Sequence, residues 1–249
     1  MYETTLSVPS DSGYILRHVA DALVSPLEEA GATFVHSEHG SRMYLSVACA
    51  DIYKPLVVEA IVDACAESLS TAYKNRFMRQ LLNVSDGNFF QNVLVNVICV
   101  FDCAVDKQSV AKLISDDSSI CLDGYYNFRM SALKRKWAEL TTLVGANRYV
   151  LEDDELVLEF LQYLTESVQT SAGAVSVVFD GDDFFLFDKD DRLRPVLRSH
   201  AEQVSAEEEA AVNLVCIKPS KVTIYATARP SAPFCMLVEA LFPVEYKIV

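Results

Sequence analysis

Basic residues are scarce in this chain. Lys and Arg together number 21 against 35 Asp and Glu in 249 residues, for a formal net charge of −14. A surface of that sign repels phosphate backbones and anionic headgroups, so neither nucleic acid nor a membrane is an expected partner. The basic run Lys134-Arg135-Lys136 is three charges long, too short to reverse this. No pair of CxxC motifs occurs, which excludes a zinc ribbon. There is no G-x-S-x-G elbow, no P-loop and no G-x-G-x-x-G, so neither an α/β-hydrolase nucleophile nor a nucleotide cradle has support. The longest apolar run, Val93–Val105, is broken by Asn96 and Asp102. It falls short of the roughly 20 residues a bilayer crossing needs. Met1-Tyr-Glu-Thr-Thr lacks a basic and then apolar leader pattern, so it does not read as a signal peptide. Internal repeats and low-complexity segments are missing too.

What is present is an ordinary globular mixture, 51% hydrophobic and 22% charged. The length suits one large domain or two small ones. Seven cysteines, an odd number, sit mostly inside apolar runs and read as reduced thiols, so the expected compartment is the cytoplasm. The acidity is local: residues 152–191 hold twelve acids and a single base, Lys189.

Periodicity predicts an α+β protein: a mostly helical N-terminal part with a β-hairpin over 1–121, then helices and a small α/β layer over 122–249. Residues 3–8 alternate as an opening strand, and a helix over 14–29 ends at Gly31. Strands 33–37 and 43–48 flank His39-Gly40-Ser41 as a hairpin. A long helix runs from Asp51 to about Asn83, burying Val57, Ile61, Ala64, Cys65, Leu69, Ala72 and Tyr73. Phe89–Ala104 is apolar all round, and a shorter helix capped by Asp106 follows. Asp116-Asp117-Ser118-Ser119 reads as a turn. Amphipathic helices are expected over 128–144 and 153–170. The chain then reads hairpin (175–179, 184–187), helix from the Ser205/Glu208 capping box, strand 222–226, helix 231–242 and strand 244–249, a ββαβαβ order with parallel pairing of the last two strands.

Several phrases in the C-terminal half resemble one family. Tyr126-Asn127-Phe128-Arg129-Met130 opens a helix. An acidic helix start follows, Glu152-Asp153-Asp154-Glu155 with Phe160-Leu161. Next come the strand pair Val175–Phe179 and Phe184–Phe187 closed by Asp188, then Val212–Ile217 leading to Pro219-Ser220-Lys221-Val222-Thr223-Ile224. Together these are similar to the YtxC family of sporulation proteins of spore-forming Gram-positive bacteria. The resemblance implies a sporulation context and no defined activity, so it carries over no functional residue. In the family the strand after the lysine often ends in a polar residue such as His, where this chain has Tyr225-Ala226.

Asp180, Asp182, Asp183, Asp188, Asp190 and Asp191 invite a divalent-metal reading, because hard cations want clustered carboxylates. The EF-hand pattern fails, with Leu193 and Ser199 where Gly and Glu belong. The plainer reading is turn-building and solvated carboxylates. His36 and His39 form H-x-x-H, short of a zinc ligand set, with His18, Cys49 and His200 unplaced. Cys99 and Cys103 fall on one helical face, as a soft-metal pair or as buried structural thiols. Arg129, beside Asn127, can grip an anion bidentately or pair with acids such as those at Glu152–Glu155. The leading expectation is a non-enzymatic protein working through a protein partner or self-association, with Asn127, Arg129, Asp182, Asp190 and Asp191 as contact candidates and no cofactor. The alternative is a ligand- or divalent-metal-dependent enzyme built on the Asp180–Asp191 carboxylates.

Overall fold

A computed structural model describes residues 1–84, 87–115, 118–145, 151–167, 172–198, 201–202 and 204–248. They form an α+β protein whose contacts divide it into two compact units that interleave along the chain. The first unit joins residues 1–77 and 102–137, the second 78–101 and 138–249. A division at 121/122 falls inside the first unit.

The first unit holds a four-stranded sheet ordered β2-β3-β1-β4. Strand β1 (Tyr2–Pro9) pairs antiparallel with β3 (Arg42–Cys49), which pairs antiparallel with β2 (Thr33–His39). The fourth strand, β4 (Ser119–Cys121), pairs parallel with β1, Leu6 opposite Ile120. It replaces part of the expected turn, of which Asp116 and Asp117 lie outside the described residues. Helix α1 (Gly13–Glu29) links β1 to β2, and α2 (Lys54–Ser70) packs on it. Alternation puts Leu6 and Val8, and Leu45 and Val47, on one sheet face. They meet Ile15, Val19 and Leu23 of α1 and Ile61, Cys65 and Leu69 of α2 in one buried cluster. Each such side chain is worth roughly 1.5–3 kcal/mol when fully buried.

The long helix expected to reach Asn83 is broken at Thr71, and α3 (Ala72–Leu82) follows. Ser70 and Thr71 hydroxyls both donate to the Glu67 carbonyl, 3.1 and 2.7 Å, a competition that bends helices. The expected apolar helix is likewise shorter, α4 (Phe89–Phe101), and α5 (Cys103–Ala111) starts after Asp102. Asp106 does not cap α5; it is buried within it. One short turn, α6 (Leu122–Gly124), precedes a wide π-helical turn at Tyr125–Arg129, and α7 (Ser131–Gly145) begins only after Met130.

In the second unit the sheet is ordered β6-β5-β7-β8. Strands β5 (Ala172–Asp180) and β6 (Asp183–Phe187) form the hairpin, closed through Gly181 at φ +60°. Strand β7 (Pro219–Ala226) runs parallel to β5, and β8 (Val244–Ile248) parallel to β7. Helices α8 (Asp154–Ser167), α9 (Ala206–Ile217) and α10 (Ala232–Leu241) pack with α4. Val175, Val177, Phe184, Leu186, Val222 and Ile224 share their core with Val93, Val97, Leu161, Phe234 and Leu237. The ββαβαβ order is as the sequence predicts. The last turn expected for α8, 168–170, lies outside the described residues. Among the described residues no single helix is long and apolar enough to cross a membrane.

Candidate functional site

The Asp180–Asp191 part of the acidic stretch folds into one end of the β5–β6 hairpin and the loop after it, and its six aspartates divide by task. Asp188 is spent on the backbone. Its Oδ1 accepts from the N–H groups of Asp190 and Arg192, 2.8 and 3.0 Å, and these two bonds hold its carboxyl below the usual carboxylate range. Asp191 adopts the left-handed conformation at φ +57° that this turn requires. Asp183 pairs with Arg198 at 3.3 Å. That leaves Asp180, Asp182, Asp190 and Asp191 exposed, with no side-chain partner among the described residues. Among those residues no three His, Cys, Asp or Glu side chains are grouped to hold a metal ion.

Beside this end lies a cleft of about 450 Å³ at the carboxyl ends of β5 and β7, where ligands bind in open α/β sheets. Phe179, Asp182, Ser205, Glu207 and Arg229 line it. Ser205 caps α9, and Glu208 completes the capping box, its Oε2 accepting from the Ser205 N–H at 2.8 Å. Glu207 turns to the next helix, accepting from the Ser231 N–H at 2.9 Å and from the Ser231 hydroxyl at the start of α10. Arg229 is exposed and makes no ion pair among the described residues, so its guanidinium can receive a carboxylate or phosphate. Sequence reading missed Arg229, since an isolated arginine in a loop has no periodic signature.

The family-like phrase is a tertiary fastening. Tyr126 stacks on Tyr73 at 4.8 Å, with Lys134 Nζ 4.7 Å over its ring. Arg129 makes its contacts within the first unit. Its guanidinium lies 4.8 Å over the Tyr125 ring and donates to the Leu113 carbonyl at 3.4 Å. Asn127 is exposed, and its carbonyl accepts from Lys134 at 3.4 Å. Phe128, between them, is 85% exposed.

A buried ionic group in the first unit was also missed. Lys74, fully buried, donates to Asp102 and, at 3.1 Å, to Asp106 Oδ2. Lys136 reaches the same two carboxylates at 3.1 and 3.0 Å, and the Trp137 indole N–H donates to Asp106 at 2.8 Å. Two cations balance two anions. Burial opposes ionisation of Asp102, but the hydrogen bonds from Lys74 and Lys136 outweigh it and hold its carboxyl low. Lys136 is therefore committed, and the basic run does not present three free charges. The available signal was Asp106 four residues before Val110, a carboxylate on a buried face.

The remaining candidates do not converge. His36 and His39 lie on β2, both exposed, and an odd separation on a strand points them to opposite faces. His200 and Ser199 lie outside the described residues. The break at Asp102 sets Cys99 in α4 and Cys103 at the start of α5. None of the seven cysteines is in a disulfide, and burial raises the Cys103 thiol and pushes Cys65 up to about 12. Cys49 is buried, and burial raises its thiol as well.

Compared with family models, curated proteins and solved structures, the chain matches none.

Proposed function

We propose that this chain is a non-catalytic cytoplasmic protein that works by protein–protein interaction, presenting the acidic end of the β5–β6 hairpin to a basic partner, in the sporulation context its resemblance implies. The observation that carries this reading is the set of four exposed carboxylates, Asp180, Asp182, Asp190 and Asp191, with no side-chain partner among the described residues, while their neighbours Asp183 and Asp188 are used internally. Such a surface steers a basic partner and sets its specificity more than its raw affinity. A second reading, binding of a small anionic ligand, draws on Arg229 in the cleft at the strand ends.

Replacing the four free aspartates by Asn, with Asp183 and Asp188 kept, leaves the far-UV spectrum and melting temperature in place and weakens capture of partners from sporulating cells by about tenfold, with the remainder less salt-dependent. Capture at the wild-type level by the folded Asn variant removes the acidic-end reading. Arg229→Ala separates the two readings, since it keeps the acidic end and deletes the cleft's cation. Capture lost with that variant alone favours the cleft.

A further inference from the structure

The two edges of the second unit's sheet are treated differently. At β6 the following loop covers the edge: Phe187 bridges Leu193, Arg194 N–H donates to the Leu186 carbonyl at 2.8 Å, and Asp188 N–H donates to the Arg192 carbonyl at 2.9 Å. At the other edge, β8 pairs with β7 alone among the described residues. An edge strand carries a row of unpaired N–H and C=O groups that templates another strand.

Which β8 groups face outward follows from the register. Val222 lies opposite Val244, and its N–H donates to the Pro243 carbonyl at 2.9 Å. In a parallel ladder alternate residues of a strand address the same neighbour, so 243, 245 and 247 face β7. The backbone groups of Val244, Tyr246 and Ile248 point to the open edge. The order Val-Glu-Tyr-Lys-Ile is also charge-inverted about its centre. A second β8 laid antiparallel across a two-fold axis at Tyr246 sets Tyr246 against Tyr246, and Val244 against Ile248. Both are hydrogen-bonded pairs, as the outward groups require. Glu245 then faces Lys247 twice, in the closer, non-hydrogen-bonded positions. Sliding the partner by two residues either way puts Glu245 against Glu245 or Lys247 against Lys247, so one register is selected. Charged residues on an edge ordinarily block self-pairing; in this order they permit it in a single alignment. Glu245 already accepts from Lys221 at 2.7 Å, and a carboxylate has acceptor sites to spare.

We propose that β8 is the edge through which two copies of this chain associate, antiparallel about Tyr246, joining two four-stranded sheets into one. The contact is isologous, so it closes at a dimer. It stands independently of the acidic end.

Sedimentation equilibrium of the full chain over a concentration series tests it. Wild type shows a monomer–dimer equilibrium. Lys247→Glu, which opposes Glu to Glu in both symmetry-related positions, weakens it about tenfold. The double swap Glu245→Lys with Lys247→Glu restores it. Ile248→Pro deletes an outward N–H without touching the β7 ladder and weakens the dimer by a route that does not use charge. Circular dichroism and melting confirm which variants fold. A wild type that stays monomeric throughout overturns the proposal. So does a dimer that neither the folded Lys247→Glu chain nor the folded Ile248→Pro chain weakens.

Discussion

Lys74 shows how far a single side chain can depart from what its type suggests. A lysine is rarely buried, yet Lys74 has no exposed side-chain surface and lies between two carboxylates. Taking Lys74 and Asp106 out of water is costly, and the network offsets that cost because each buried charge finds opposite partners, among them the part-exposed Asp102 and Lys136. Removing one partner leaves the other exposed to the full desolvation penalty. Lys74→Met therefore destabilises the first unit by about 3 kcal/mol, read as a shift of the urea midpoint at constant slope. A change below roughly 1 kcal/mol would show that Lys136 and Trp137 suffice to satisfy Asp106. Of the candidate residues at this scale, the aspartates were legible as turn builders, and Asp188 acts as one. Arg129 was not. Its partners Tyr125 and Leu113 come from packing, and no spacing rule relates residue 129 to 113.

At the scale of elements, agreement between sequence and structure follows the length of the signal. Helix α9 begins where Ser205 and Glu208 announce it, and the strands of the second unit occupy the alternating runs. Strand β4 has three residues, too few for a periodic signal. Bonds distant in sequence hold that segment in place: Arg42 donates to Asp123 at 2.6 and 3.3 Å and to the Ser7 hydroxyl at 3.1 Å. The helix breaks at Thr71 and Asp102 were hidden because the apolar pattern runs across them. The capping box gives a direct test at this scale. Ser205→Ala removes the acceptor for the Glu208 N–H and costs about 1 kcal/mol. Ser205→Gly costs only a few tenths, because glycine is itself tolerated at the cap. Equal losses in thermal melts of the two variants would show that the cap hydroxyl contributes nothing.

For the whole molecule, one of the two interleaved units carries its own reporter. The chain's single tryptophan, Trp137, belongs to the first unit and donates to Asp106 there, so its fluorescence follows that unit alone. Asp102 and Asp123 of the same unit are both held below the ordinary carboxylate range. Burial works against this in each case, and hydrogen bonds from Lys74 and Lys136, or from Arg42, outweigh it. A carboxyl whose folded pKa lies below its unfolded one, about 3.9, contributes stability above the unfolded value and loses it as pH falls through the folded one. The Trp137 melting transition is thus steady from pH 7 to about pH 5 as far as these two groups go, and drops below about pH 4. Asp123→Asn lowers the neutral-pH stability and flattens part of that acid slope. An acid slope unchanged in the folded Asn variant would show that the Arg42 pair adds nothing.

The sequence by itself determined the α+β class, the ββαβαβ order, the parallel pairing of the last two strands and the site of the acidity. Each depends on local periodicity, on chain connectivity or on composition. Tertiary structure alone decided which carboxylates have no side-chain partner among the described residues, that Lys74 is buried in an ionic group, where Arg229 stands, and that β8 pairs on one side only among the described residues while the loop after β6 covers its edge. Those outcomes depend on which distant segments meet. The energies that settle them, the desolvation of a charge and the pairing of a backbone edge, exist only once the chain has packed.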